Sequence, residues 1–128
     1  QANGWMSRSG YLLFELAFPL AFGLLFAGVS ALVRTMPARF VNIPRRDYWL
    51  APERRELAAG LIRNYMGWFA CLMTLCFGGL HLLTVAANRA QPPQLPMEGF
   101  MLVMAAYLAG MLVWTVLLVL RFMKTDGP

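Results

Sequence analysis

The chain has 128 residues, of which 59% are hydrophobic and 13% are charged, with a formal net charge of +5. Because a soluble domain carries about 25% charged residues, this composition argues against a water-soluble globular protein. The apolar residues form three long runs rather than short alternating ones, which excludes a β-sheet fold.

The first run, residues 11–33, reads YLLFELAFPLAFGLLFAGVSALV, and its only formal charge is Glu15. A helix of this length reaches about 33 Å, which matches a hydrocarbon core of about 30 Å. A soluble helix would need a polar face, and this run has none. We therefore predict a first transmembrane helix over 11–33.

Residues 34–64 follow as a connector, and their centre, NIPRRDYWLAPERR at 42–55, is the least apolar stretch of the chain. Met36-Pro37 ends the first helix, because proline disfavours helical conformation in the residue before it. Pro52 suits the first turn of a new helix that runs unbroken into the second apolar run. The sequence therefore predicts an ordered connector between two long helices.

Two interpretations of this connector stay open. It is an anchor if Tyr48 and Trp49 lie at headgroup level and the arginines bind anionic lipid headgroups. It is a docking surface for a partner if Asp47, Glu53 and Glu56 form salt bridges with arginines and so fix one loop shape. A catalytic interpretation is weakest, because no nucleophile–base pair, phosphate-binding loop or metal-ligand spacing is present, and we predict no catalytic residue, metal or cofactor. The candidate docking residues are Asn42, Pro44, Arg45, Arg46, Asp47, Tyr48, Trp49, Pro52, Glu53, Arg54 and Arg55.

The second run, residues 65–87, carries one imidazole, His81. Glu15 and His81 reach similar depths in antiparallel helices, at roughly 8–9 Å from the same end. Each would be costly alone in the bilayer, and a mutual hydrogen bond lowers that cost. We predict a Glu15–His81 pair that locks the first two spans. The alternatives are that both side chains reach water at the headgroups, that they take a proton-coupled or ligand-gating role, or that His81 binds a haem or pigment.

The third run, residues 99–120, has no formal charge and predicts a third span. Small residues recur four apart in all three spans, and such rows let helices approach closely. Most of these rows are expected to serve the bundle, while a spare row would suit a partner helix or a second copy. The predicted packing residues are Ala17, Ala21, Gly23, Ala27, Ala70, Thr74, Gly78, Ala106 and Gly110.

Basic residues predict the orientation of this all-α, three-helix membrane bundle. Nine of the eleven arginines and lysines lie in the 34–64 connector or after the third span. Because basic loops stay in the cytoplasm, we predict the connector and the C-terminus inside and the start of the chain outside. The positive charge suits lipid headgroups rather than nucleic acid. Residues 1–10 do not form a signal peptide, so either a signal has been removed or the chain is a fragment, and we expect a longer protein with an upstream span.

Two stretches carry a family resemblance. QANGWMSRSGYLLF, residues 1–14, resembles the second half of a motif of the form P-x-x-x-x-x-H-F-x-x-x-G-x-x-x-G-W. NIPRRDYWLAPERRE, residues 42–56, resembles a loop that reads close to N-x-P-N-x-D-Y-W-L-A-P-E-R-R. Both mark a bacterial membrane family of unknown function whose domain forms the N-terminal part of the immunity protein SdpI. The resemblance implies four spans in the complete protein, a place in the bacterial inner membrane and no established enzymatic reaction.

These features favour two functions. The first is a non-enzymatic membrane protein with a sensing, immunity or regulatory role, which acts through contacts with other membrane proteins. The second is an accessory structural subunit of a larger membrane complex. A transporter is disfavoured, because three spans with two intramembrane ionisable groups leave little to line a pathway.

Overall fold

A computed structural model describes residues 6–125, except for the side chain of Ser30. This part of the chain contains helices and no strand, which confirms the predicted all-α class. Residues 1–5, which begin the N-terminal stretch with the family resemblance, lie outside the described residues. The helices are α1 (Arg8–Thr35), a short 3-10 helix (Ala38–Phe40), α2 (Arg46–Trp49), α3 (Arg55–Arg89) and α4 (Met97–Met123).

Three of these helices, α1, α3 and α4, are long and apolar enough to cross a membrane. They enclose the predicted spans 11–33, 65–87 and 99–120. α1 ends at Thr35, directly before Met36-Pro37, and the Met36 N–H donates to the Leu32 carbonyl at 2.8 Å. α3 has 35 residues and is about 52 Å long, well beyond a hydrocarbon core of about 30 Å. Its first ten residues therefore extend the bundle at the end that carries the connector.

α3 is the central helix of the bundle. α1 and α4 run antiparallel to it and both pack against it, with few contacts between each other. One end of the bundle holds the end of α4 and residues 36–54, the part of the predicted 34–64 connector that lies between α1 and α3. We name it the loop end. The other holds the start of α1 and the 90–96 turn between α3 and α4, and we name it the hairpin end.

Aromatic side chains hold α1 against α3. Phe18 of α1 meets the edge of Phe77 of α3 with ring centroids 4.8 Å apart, and Phe26 meets Phe69 at the same distance. Phe69 in turn contacts Trp114 of α4 at 5.1 Å, so one α3 ring touches both neighbours. The two edge-on pairs between α1 and α3 contribute about 0.5–1.5 kcal/mol each beyond their buried area.

Glycines set the spacing between α3 and α4. A Cβ atom added to Gly79 would lie 3.1 Å from both Cγ atoms of Val103, and one added to Gly110 would lie 3.0 Å from Leu72 Cδ2. Trp114 Nε1 donates to the Tyr65 carbonyl at 2.8 Å, so a hydrogen bond also crosses this interface. Close backbone approach and a cross-helix hydrogen bond are the contacts that hold helices together in lipid.

The predicted small-residue rows lie mostly outside the close α3–α4 contact. Of their glycines, Gly110 lies at a close approach, whereas an added Cβ at Gly23 or Gly78 would meet open space. Ala70 is half-buried. A role for the outward rows in binding a partner stays a prediction. The exposed members of the rows are Ala17, Ala21, Gly23, Ala27, Thr74, Gly78 and Ala106.

The neighbouring residues Gly78 and Gly79 offer a matched test of this packing. We expect Gly79→Ala to destabilise the protein by about 1–3 kcal/mol, because the β-branched Val103 is stiff and cannot yield easily. Gly78→Ala should stay within about 0.5–1 kcal/mol of the wild type, since its added methyl group meets nothing. The measurement is the free energy of unfolding in mixed detergent micelles. Equal losses at both positions would contradict this packing.

Candidate functional site

The hydrophobic core of the described residues lies at the loop end, not between the apolar spans. The connector, the end of α1, the start of α3 and the end of α4 all contribute to it. We name the connector and C-terminal parts of this unit, residues 36–55 and 121–125, the loop cap; the ends of α1 and α3 supply the rest of the core. The buried core residues are Val33, Val41, Trp49, Leu50, Ala58, Ala59, Ile62 and Phe122.

Trp49 is the centre of the loop cap. Its side chain is 1% exposed, and its Nε1 donates to the Phe122 carbonyl at 2.8 Å. Its ring meets Phe122 edge-on, with centroids 5.3 Å apart, and the Arg121 guanidinium lies 5.1 Å from the ring centroid. Trp49 is therefore buried in protein, whereas the anchor interpretation places it at the lipid headgroups.

Tyr48 ties the same helical turn to the C-terminal residues. Its hydroxyl donates to the Thr125 carbonyl. The Arg54 guanidinium lies over the Tyr48 ring, 4.1 Å from its centroid, in a cation–π contact. Arg54 is thus engaged inside the loop cap.

Arg55 joins the start of α3 to the end of α1. Its Nε donates to the Val33 carbonyl at 3.0 Å, and its Nη2 donates to the Met36 carbonyl. The Val33 carbonyl lies in the last turn of α1, where no partner within the helix is available. A cation there also complements the helix dipole. Arg55 therefore acts as a C-cap for a helix that ends twenty residues earlier in the sequence.

Salt bridges contribute less to the loop shape than the sequence predicted. Arg34 pairs with Glu56 at 3.2 Å and Arg46 with Asp47 at 3.4 Å, and all four side chains are largely exposed. Glu53 forms no ion pair within residues 6–125. Because exposed pairs contribute about 0–1 kcal/mol, aromatic and carbonyl contacts fix the shape instead.

The cap surface, meaning the exposed residues of the loop cap, keeps its other charges in solvent. Phe40 is 63% exposed, and the Arg39 guanidinium lies 4.8 Å from its ring centroid. Pro44 is half-buried beside this surface. Several arginines and acids thus remain available to bind a partner or lipid. The exposed residues of the 36–55 segment are Pro37, Arg39, Phe40, Asn42, Arg45, Arg46, Asp47, Pro52 and Glu53.

Arg45 has an unusual backbone. Its φ and ψ angles, 50° and 41°, lie in the left-handed region, which costs a side-chain-bearing residue about 1–2 kcal/mol and suits glycine better. Its carbonyl accepts hydrogen bonds from the Tyr48 N–H at 3.0 Å and the Trp49 N–H at 3.2 Å. The turn that aims Trp49 into the core therefore depends on this strained residue.

Sequence reasoning missed the contribution of residues 121–125 to the loop cap. Phe122 is fully buried against Trp49, and Thr125 accepts from Tyr48. The signal that was available is positional. Arg121 and Phe122 directly follow the third span, so they emerge on the same side as the connector.

At the hairpin end, the structure brings Glu15 and His81 together and adds a third residue. Glu15 Oε2 lies 3.8 Å from His81 Nδ1, whereas the Tyr11 hydroxyl lies 3.0 Å from that nitrogen and forms the hydrogen bond. The Tyr11 and His81 rings are stacked, with centroids 5.6 Å apart. Tyr11 is four residues before Glu15 and so shares its helix face, a signal the sequence offered. The role of the pair as a lock stays a prediction.

A cleft of about 670 Å³ opens beside this cluster, between α1 and the end of α3. Tyr11 and His81 form its polar wall, and Arg8 and Arg89 also line it. Within residues 6–125, no three His, Cys, Asp or Glu side chains come together to hold a metal ion. The remaining lining residues are Met6, Leu12, Thr84, Val85 and Asn88.

Comparisons of the chain with protein-family models, with curated proteins and with solved structures find no match in any of the three. The resemblance of residues 1–14 and 42–56 to the SdpI-related family stays a prediction.

Proposed function

We propose that this protein is a non-enzymatic membrane protein that acts by docking other membrane proteins at the cap surface, in a sensing, immunity or regulatory role. The observation that supports this best is that the loop cap packs against the ends of α1 and α3 around the buried core. An electrostatic tether to lipid needs arginines near the headgroups, but it needs neither a buried tryptophan nor a capped helix end. A fixed shape is useful when a partner must recognise it.

Arg45 adds a second argument. A strained backbone that persists at an exposed charged residue suggests a functional demand on that residue, because glycine would fit there at lower cost. Arg45→Gly should therefore leave the fold intact while it removes a positive charge from the cap surface. It separates docking from stability in a way that a core substitution cannot.

We further propose a bacterial inner-membrane location with the loop cap and the C-terminus in the cytoplasm. The concentration of arginine and lysine at the loop end supports this orientation. A fluorescent protein that folds only in the cytoplasm, fused after Pro128, should then be bright. A dark fusion whose periplasmic reporter counterpart is active would reverse the orientation.

The accessory-subunit alternative is supported by an outward face of α3. An added Cβ at Gly60 or Gly67 would meet no atom within 4 Å, and Trp68 beside them is 64% exposed. A helix of a larger complex could pack closely there. Docking at the cap surface and assembly through α3 therefore use different parts of the molecule.

Photocrosslinking in cells separates the two functions. We expect a photoreactive amino acid at Phe40 to give a discrete adduct with another membrane protein, and Arg45→Gly should reduce that adduct at least severalfold. The same group at Trp68 reports on the α3 face, and Leu75, which is 73% exposed in mid-span, is a lipid-facing control. An adduct at Trp68 alone, in a stable stoichiometric complex, would favour the accessory subunit and contradict docking at the cap surface.

A further inference from the structure

The mouth of the hairpin-end cleft concentrates positive charge that no described contact uses. Arg8 lies in the first turn of α1 and Arg89 in the last turn of α3, and both line the cleft. Neither forms an ion pair with a carboxylate in the described part of the chain. An arginine in the first turn of a helix opposes the helix dipole, so the stability of α1 does not explain Arg8.

The other polar groups of the cleft already have hydrogen-bond or ion-pair partners within the protein. Thr84 Oγ1 donates to the Leu80 carbonyl at 2.8 Å, and Asn88 Nδ2 donates to the Thr84 carbonyl at 2.8 Å. Glu15, the nearest carboxylate in the sequence of α1, faces His81. Among the residues that the structure describes, the two guanidinium groups are therefore the strong donors of the cleft that no hydrogen bond or ion pair occupies.

The remaining walls are apolar, and the size is that of a ligand site. Leu12 of α1 and Val85 of α3 line the cleft on its two sides. Its volume of about 670 Å³ lies within the range of about 300–1,000 Å³ typical of small-molecule pockets. Arg8 precedes the predicted first span by three residues, so the mouth lies at the level of lipid headgroups.

We propose that this cleft binds an anionic amphiphile, with its phosphate or carboxylate held between Arg8 and Arg89 and its hydrocarbon part along Leu12 and Val85. The same chemistry is offered by an anionic phospholipid of the membrane and by a free fatty acid. The site lies at the opposite end of the bundle from the loop cap. This inference therefore stands independently of the docking function.

Native mass spectrometry of the protein in neutral detergent tests the site, with dioleoylphosphatidylglycerol in one arm and oleate in the other. We expect one molecule of dioleoylphosphatidylglycerol, of oleate or of each to bind tightly per protein in its own arm. The double variant Arg8→Gln with Arg89→Gln should weaken this association tenfold or more. Arg34→Gln with Arg63→Gln removes the same charge from exposed positions outside the cleft and the loop cap, and should leave the association unchanged. Tight phosphatidylglycerol binding identifies a bilayer lipid, and tight binding of oleate alone identifies a free acid.

Two further variants separate binding from folding. Val85→Trp fills the cleft without a change in charge and should also abolish the tight association. Arg8→Lys with Arg89→Lys keeps the charge and should retain affinity within a few-fold. Helical content and elution volume of each variant show that it is folded. The proposal fails if the glutamine double variant binds as tightly as the wild type, or if dioleoylphosphatidylcholine binds as tightly as its anionic counterpart.

Discussion

Replacing Trp49 with alanine is expected to destabilise the protein by about 3–5 kcal/mol, the usual cost of truncating a buried aromatic side chain. The ring contacts Phe122 and Arg121 and anchors α2 through its Nε1–carbonyl bond, so its loss should release the connector from the end of α4. Trp49→Phe keeps most of the ring but leaves the Phe122 carbonyl without this donor. Its expected cost is about 1–3 kcal/mol.

Unfolding in mixed detergent micelles measures the loss of stability in both variants. Limited trypsin digestion measures the release of the connector from the end of α4. Trypsin should cleave the alanine variant faster after Arg54 and Arg55, which are half-buried in the wild type. The matched control is Trp68→Ala, since Trp68 is 64% exposed and packs against no core. Its effect should stay below about 1 kcal/mol. If both tryptophan variants lose the same stability, the packing of Trp49 in the core at the loop end does not stabilise the protein as we propose.

The three long helices could be predicted because the membrane imposes their length. A segment that spans the hydrocarbon core needs about 20 apolar residues, and only helices satisfy their own backbone there. The runs at 11–33, 65–87 and 99–120 meet this demand without any knowledge of their neighbours. The local composition of each run was therefore sufficient to predict its helix.

The loop cap could not be predicted, because its contacts join residues far apart in the sequence. Trp49 and Phe122 are 73 positions apart, and Arg55 reaches Val33 across 22 positions. In both cases the acceptor is a backbone carbonyl, which every residue has and no sequence pattern marks. The sequence predicted salt bridges because charged side chains are visible in it, and the structure uses the arginines mainly for other contacts.

Helix depth predicted the hairpin-end cluster better than packing patterns predicted the helix interfaces. Two polar side chains at equal depth in antiparallel helices have few other partners in lipid, which is why Glu15 and His81 are found together. Small-residue rows carry less information. Lipid chains are as apolar as a neighbouring helix, so shape alone decides which row is used. That is how Gly79, adjacent to the predicted Gly78, came to face Val103.

Replacing Arg55 with leucine should destabilise the protein by about 2–3 kcal/mol, because it removes charge-assisted hydrogen bonds to two carbonyls at the end of α1. Arg55→Lys should recover about half of this loss, since a single ammonium group cannot donate to both carbonyls in the bidentate geometry of a guanidinium group. Hydrogen exchange of residues 33–45 should rise in the leucine variant. A rise confined to these residues would show that the C-cap of α1 is lost, whereas general destabilisation would raise exchange throughout the protein.

Arg34→Leu is the matched control, because Arg34 also joins α1 to α3, through the exposed pair with Glu56. Its expected cost is about 0–1 kcal/mol and should shrink further at high salt, where exposed charges are screened. The cost of Arg55→Leu should depend little on salt, since its partners are neutral carbonyls in a partly buried site. A large, salt-sensitive loss at Arg34 with a small loss at Arg55 would mean that paired charges join the two helices. The opposite result would show that the hydrogen bonds from Arg55 to the Val33 and Met36 carbonyls join the two helices.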